Sequence, residues 1–186
     1  MQHVVLVRRS FLLPSATGGL GLEIGPILNS QGAWCVVSSG FPVGATTVRI
    51  KKIDDLDEAR ELWSDFQTMH DIGDLWPGDD HTYWELTDGK RTYAVFSAVY
   101  RPEKAYAYLS YAIIDPTILH TGLQRRLIRY RLQWARKQGA IYAVTYTLLH
   151  NYPSISNLLK CGFRFARTPR GWHGVGDGVH YFERQL

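Results

Sequence analysis

Regular patterning of apolar and polar positions begins near Thr46. "TTVRIKKI" alternates with a period of two and predicts a strand. The period then changes. In "DLDEARELWSDFQTMH" Leu56, Ala59, Leu62, Trp63 and Phe66 recur at helical spacing, and acids fill the first turn, where the helix dipole favours them. "DIGDLWPGDD" is a loop by its glycine and proline content, and "DHTYWELTD" reads as a short helix capped by Asp79 or Asp80. "RTYAVFSAVYR" and "AYAYLSYAII" are two strands joined by Pro102, Glu103 and Lys104, a hairpin-sized connection. Leu123 to Gln138 is the clearest helix. Leu123, Leu127, Tyr130 and Trp134 form its apolar stripe, Arg125, Arg129 and Arg136 lie opposite, and Gly139 is placed to cap its C-terminus. "IYAVTYTLL" predicts a further strand and "PSISNLLKC" a short helix between Pro153 and Gly162. "FRFAR" and "VHYFER" read as a closing strand pair. The order β-α-α-β-β-α-β-α-β-β describes a mixed α/β (α+β) fold with a mostly antiparallel sheet flanked by helices.

Residues 1–45 are different. They are rich in Gly, Ser and Pro, and their runs "HVVLV" and "AWCVVSSGF" read as strands. They are expected to form a β-rich extension packed on a main domain of residues 46–186, and they could also mediate homodimer contacts. Gly19, Gly21 and Gly25 of "GGLGLEIG" miss the dinucleotide-binding spacing by one residue, so that segment is a loop.

The chain has 186 residues, the length of one domain. Cys35 and Cys161 are too few for a disulfide framework and match no metal spacing, and the histidines are scattered. No metal is expected. The N-terminal apolar run is broken by Arg8 and Arg9, too early for a signal peptide or a membrane span, so a soluble cytoplasmic protein is the expectation. Charge is unevenly placed: Asp54 to Glu85 carries eleven acids and one base, leaving twenty bases and six acids elsewhere. This is either a solvated acidic face or a cleft with walls of opposite sign.

Chemistry enters at "DPTILHTGLQRRL". A helix N-terminus offers unpaired N–H groups and partial positive charge, and so can hold phosphate without a basic side chain. Gly122 allows close approach, and Arg125 and Arg126 add charge nearby. Taken alone, this is also what a plain strand-to-helix turn looks like. Downstream, Asn151 opens "NYPSISNLLKCGF", either as a ligand partner or as a helix cap.

Together, in this order, the two stretches resemble the GCN5-related N-acetyltransferase (GNAT) family, over about three quarters of the chain. Ile114, Asp115 and Pro116 match the family's strand end, Gly122 its first loop glycine, Leu123 the aliphatic after it, and Leu127 a buried leucine beyond. Asn151, Ser154, Ile155, Lys160, Gly162 and Phe163 fall in register with its later motif. The resemblance implies acetyl-CoA as co-substrate and a primary amine, in a small molecule or a protein, as acceptor. It implies that Leu119, His120, Thr121, Gly122, Leu123, Gln124 and Arg125 hold the coenzyme's phosphates. Ile113, Ile114, Asn151 and Ser154 would border its arm, which would run between strands 105–115 and 141–149. Three positions depart from the family pattern: Leu119, Gln124, and Leu158, where the thiolate-protonating tyrosine often stands. No acid lies between Tyr106 and Ile114, where some members carry a glutamate. Tyr108 and Glu85 are the candidates for proton transfer. Tyr106, Tyr108 and Ser110 share one strand face by alternation. The acidic stretch, with Asp71, Asp74, Asp79, Asp80, Trp76, Tyr83 and Trp84, would wall an acceptor cleft suited to a cation.

Two other functions fit the same residues. One is a catalytically inactive GNAT-fold protein that binds a partner or coenzyme, suggested by the three departures. The other is a nucleic-acid module built on "RRLIRYRLQWARK", against which Tyr130 and Trp134 belong to the apolar stripe.

Overall fold

A computed structural model of the chain describes residues 27–28, 34–36, 48–70, 76–118, 122–167 and 178–186. The strands are β1 (Ile27–Leu28), β2 (Trp34–Val36), β3 (Val48–Ile53), β4 (Thr82–Thr87), β5 (Thr92–Arg101), β6 (Tyr106–Ile114), β7 (Tyr142–Leu148), β8 (Arg164–Ala166) and β9 (Val179–Gln185). The helices are α1 (Leu56–Met69), α2 (Leu123–Lys137) and α3 (Tyr152–Lys160). The strands form one sheet in the order β1-β2-β3-β4-β5-β6-β7-β9-β8. Every pairing is antiparallel except β6 with β7. This is the mixed, mostly antiparallel sheet expected from the sequence. Of the N-terminal runs, "AWCVVSSGF" contains β2, whereas "HVVLV" and "GGLGLEIG" lie outside the described residues.

Local chemistry explains most boundaries. The side chain of Asp55 caps α1 by accepting from the backbone N–H groups of Asp57 (2.8 Å) and Glu58 (3.2 Å). Ala59, Trp63 and Phe66 form the buried stripe of that helix. Past the end of α3, the Gly162 N–H reaches Leu159 O (2.9 Å) and the Phe163 N–H reaches Leu158 O (3.1 Å), with Gly162 at φ 79°. This closure needs a glycine, and it folds Phe163 back into the core beside Leu158.

One element differs from the sequence reading. Thr82–Thr87 is a strand, not a helix. Tyr83, Trp84, Glu85 and Leu86 are all buried, because α1 covers one face of β4 and α2 the other. Trp63 of α1 meets Tyr83 edge-on, and Trp134 of α2 meets Trp84 edge-on. A strand covered on both faces loses its alternation, and the short apolar run then carries no period to distinguish strand from helix.

The second irregularity matters more. The pairing of β5 with β6 shifts between Phe96 and Ala98: Phe96 faces Ala112, while Ala98 faces Leu109. Two residues of β6, Ser110 and Tyr111, thus oppose the single Ser97. This is a β-bulge. It breaks the alternation expected from the sequence. Leu109, Ala112 and Ile114 pack toward α2, while Tyr111 and Ile113 join Trp63, Phe66 and Tyr83 under α1. Tyr111, not Ser110, therefore shares the face of Tyr108.

Candidate active site

The bulge is pinned from behind. Arg131 of α2 is buried, at 4% exposure, and its Nη1 donates to the carbonyls of Ser110 (2.9 Å), Ser97 (3.2 Å) and Tyr111 (3.5 Å). Its guanidinium also lies 5.9 Å from the Phe96 ring centroid. Burial pushes its pKa down to about 10, so it stays charged at neutral pH. The carbonyls that the bulge removes from the ladder are satisfied by one side chain.

In front of the bulge the sheet opens. The parallel ladder joins Tyr106–Tyr108 to Tyr142–Val144 and stops there, although β6 continues to Ile114 and β7 to Leu148. Thr145 Oγ1 donates to Leu109 O (2.7 Å) just past the last pair. Beyond that the outer backbone groups of β6 face the gap and not a neighbouring strand. Over the gap, on the α1 side, stand three tyrosines. The hydroxyls of Tyr111 and Tyr146 are 2.6 Å apart, and the Tyr108 and Tyr146 rings stack at 6.2 Å. Burial pushes the hydroxyls of Tyr108 and Tyr111 well above 10, and hydrogen bonding to Tyr146 adds to it. At neutral pH these are neutral hydroxyls, not bases.

The far end of β6 is fastened. Asp115, 1% exposed, accepts from Thr117 N (2.8 Å) and Thr117 Oγ1 (2.7 Å), and pairs with Arg91. Burial works to raise its pKa, but the Thr117 bonds and Arg91 more than offset this and hold it below 3.8. A carboxyl lowered by folding stabilises the protein above its unfolded pKa and loses that contribution as pH falls. Asp115→Ala should therefore cost about 1–2 kcal/mol at pH 7 in a denaturant titration, with the gap to wild type closing below pH 3.8. A gap that stays constant into acid would show that the charge of Asp115 does not matter.

Helix α2 starts beside this strand end. Its N-cap, Gly122, has φ 76° and no side chain to bond the first N–H groups. The first turn contains no acid, and Arg125 and Arg126 lie at the helix's positive end. Cations there are unfavourable unless an anion joins them. Gln124 points sideways: its Nε2 donates to Ser154 Oγ (3.1 Å), and its Oε1 accepts from Asn157 Nδ2 (2.6 Å). Its side chain is thus tied to α3.

Comparison with known proteins closes the case for the family. The acetyltransferase (GNAT) family model matches residues 50–163. The chain belongs to this family. No curated protein sequence matches it. Among solved structures, the GNAT domain of S. lividans PAT aligns at 17% identity, covering 84% of this chain and 98% of its own, with a TM-score of 0.63. The ribosomal-protein-S18-alanine N-acetyltransferase of Escherichia coli aligns at 18% identity, covering 74% and 93%, with a TM-score of 0.58. A Bacillus subtilis acetyltransferase in complex with CoA aligns at 14% identity, covering 75% and 99%, with a TM-score of 0.55. At these identities the likeness is one of fold.

Within the family frame, the residues singled out from sequence separate into groups. Leu119, His120 and Thr121 lie outside the described residues, as do Asp71 and Asp74. Ile113 and Leu123 are core residues flanking the strand end and the helix start. Asn151 caps α3, its Oδ1 accepting from Ser154 N (3.2 Å), and Leu158 is buried in the core. Glu85 and Tyr108 are not brought together. Glu85 pairs with Val95 and Tyr108 with Val99, four positions along β5 or about 13 Å. Both carboxylate oxygens of Glu85 are engaged, one with Lys51 (3.3 Å) and the other with Thr92 Oγ1 (2.5 Å).

The acidic wall is likewise answered from within. Asp79 pairs with Arg60 (2.8 Å) and Asp80 with Arg101 (2.5 Å). Trp76 stacks on Tyr83 at 4.8 Å, and the Arg60 guanidinium lies 5.6 Å from the Trp76 ring centroid. Trp84 is on the opposite face of the sheet, stacked on Phe96. Among the described residues these rings serve one another.

Tyr111, Tyr146 and Arg131 were missed by the sequence reading. Arg131 had a signal: it stands four residues after Leu127 and three before Trp134, on the apolar stripe itself. The tyrosine pair had none, because the bulge that turns Tyr111 toward Tyr146 has no local sequence mark.

Proposed function

We propose that the protein transfers an acetyl group from acetyl-CoA to a primary amine by direct attack. The observation that carries this reading is the gap between β6 and β7, with the start of α2 beside the end of β6. The coenzyme's diphosphate would bind the N–H groups at the start of α2, aided by Arg125 and Arg126. Its arm would run in the gap, and β6 N–H groups near the bulge would polarise the thioester carbonyl. The amine nitrogen attacks that carbon, the C–S bond breaks, and the CoA thiolate leaves and takes up a proton. Family membership and neighbours such as the E. coli alanine N-acetyltransferase support this reaction class. The acceptor is an amine of a small molecule or a protein.

Calorimetry with acetyl-CoA tests the coenzyme site. Thiol release across a panel of amines, peptides and aminoglycosides tests transfer. Binding without release above hydrolysis would favour a second reading, an inactive binder, which the burial of Leu158 in the core also supports. The nucleic-acid reading has less behind it, since Tyr130 and Trp134 pack edge-on against Trp84 and Arg131 is buried. Among the described residues no helix is long and apolar enough to cross a membrane.

A further inference from the structure

One side chain beside the tyrosines has chemistry with no task assigned so far. His81 immediately precedes β4, and its side chain is 5% exposed. Its Nδ1 lies 2.9 Å from Asp80 Oδ1. A carboxylate there holds a proton on Nδ1 and leaves Nε2 as a lone-pair acceptor. That Nε2 is buried and has no hydrogen-bond partner among the described residues. A buried polar atom left unpaired is costly and calls for an explanation. The ring stands edge-on to Tyr108 at 6.2 Å, and Tyr108 couples through Tyr146 to Tyr111. Asp80 is itself fixed by Arg101 of β5 (2.5 Å).

We propose that Asp80 and His81 form the proton-handling dyad of this site, with His81 Nε2 as the proton acceptor and Asp80 as the residue that positions it. The inference rests on the acetyl-transfer reading and supplies the group that reading lacks. The tetrahedral adduct formed by the amine carries an N–H proton that must leave. That proton passes through the hydroxyls of Tyr111, Tyr146 and Tyr108, each giving one proton as it accepts another. It then crosses from Tyr108 through one water to His81 Nε2, which no hydroxyl among the described residues bonds directly. The C–S bond then breaks, and the imidazolium returns the proton by the same chain to the CoA thiolate. Charge and atoms balance without an outside acid. The downhill direction is right, since an imidazolium is a stronger acid than a thiol. The dyad thereby accounts for a site with Leu158 where a tyrosine acid would stand.

The groups facing His81 are Asp80, Arg101, Tyr83, Tyr108 and the Gly78 carbonyl. Burial lowers its pKa below 6.5, and Asp80 counters only part of this. His81 is therefore a neutral base at pH 7.

The test combines ring NMR with kinetics on the full chain. In wild type, 15N shifts should show a neutral His81 with its proton on Nδ1 at pH 7. A proton on Nε2, or a charged ring, overturns the proposal, and this readout needs no acceptor. His81→Gln should bind acetyl-CoA within twofold of wild type by calorimetry, yet release thiol with the best amine about a hundredfold more slowly. Asp80→Asn should lose about tenfold and move the acid limb of the rate profile to lower pH, which a merely structural carboxylate would not do. His81→Gln within threefold of wild type, with an unchanged acid limb, overturns the dyad. Absence of acetyl-CoA binding in wild type sinks the coenzyme reading while the NMR still judges the dyad. Binding with no thiol release from any acceptor sinks transfer and the dyad's role together.

Discussion

Arg131→Met is expected to lower stability by about 3 kcal/mol and to abolish acetyl transfer. The arginine holds the bulge through its carbonyls, donating from Nη1 to Ser97, Ser110 and Tyr111. Methionine fills similar volume but donates nothing. Two or three buried carbonyls would lose this partner, at about 1–3 kcal/mol each. Relief from burying a cation offsets part of that loss. The remainder decides the sign, and it is destabilising because removal leaves the acceptors in place. Activity would fall further than stability, since a bulge that relaxes to a regular ladder turns Tyr111 away from Tyr146. Urea denaturation measures the first effect and thiol release at a temperature where the variant is folded measures the second. A variant as stable as wild type would mean that the guanidinium does not hold the bulge. Arg131→Lys, with one donor group at the end of a flexible stem, should fall between the two.

The second large effect is expected at Gly122. Gly122→Trp should weaken acetyl-CoA binding at least a hundredfold, about 2.7 kcal/mol. Two causes add. The position has φ 76°, which in a residue with a side chain costs about 1–3 kcal/mol. A Cβ there would meet only Arg125 Nη2, at 3.2 Å, a flexible end that can move aside, so the fold should tolerate the change. An indole beyond that Cβ would stand over the first N–H groups of α2, where the diphosphate is proposed to sit. Calorimetry should show binding lost while the circular dichroism spectrum is retained. Gly122→Ala separates the two, because it carries the strain without the bulk and should lower stability while binding acetyl-CoA within about threefold of wild type. Equal affinity in wild type and Gly122→Trp would place the phosphates elsewhere.

Both predictions concern residues whose roles differ in how far the sequence revealed them. Gly122, Asn151, Gly162 and Phe163 were legible because caps and turns are local: each is set by residues within a few positions. The order of strands and helices was legible for the same reason. β4 was not, because burial on both faces is a property of the sheet it joins. The gap between β6 and β7 was placed correctly, but only through the family resemblance. The bulge and the Tyr111–Tyr146 contact depend on pairings between distant segments, so no window of sequence contains them. His81 in particular looked like one of several scattered histidines. Asp80 and Tyr83 stand beside it in the sequence, but Tyr108 of β6 is brought to it only after two turns of the chain.

The pairing of the acidic segment bears on how an acceptor finds the site. Asp79, Asp80 and Glu85 each face an arginine or lysine of their own chain, and although Arg60 and Lys51 also serve Asp57 and Glu58, the pairing mutes the charge of the described part of this wall. Paired charges project little field beyond a Debye length of about 8 Å. The paired carboxylates would add little long-range attraction for an approaching amine, and their share of the ionic-strength dependence of its association rate would be small. Discrimination between acceptors would then fall to the fit of the last few ångströms, among the partly exposed Trp76, Tyr111 and Tyr146. A wall with unpaired carboxylates would collect any cation at long range, whereas paired ones would leave the sorting of acceptors to contact.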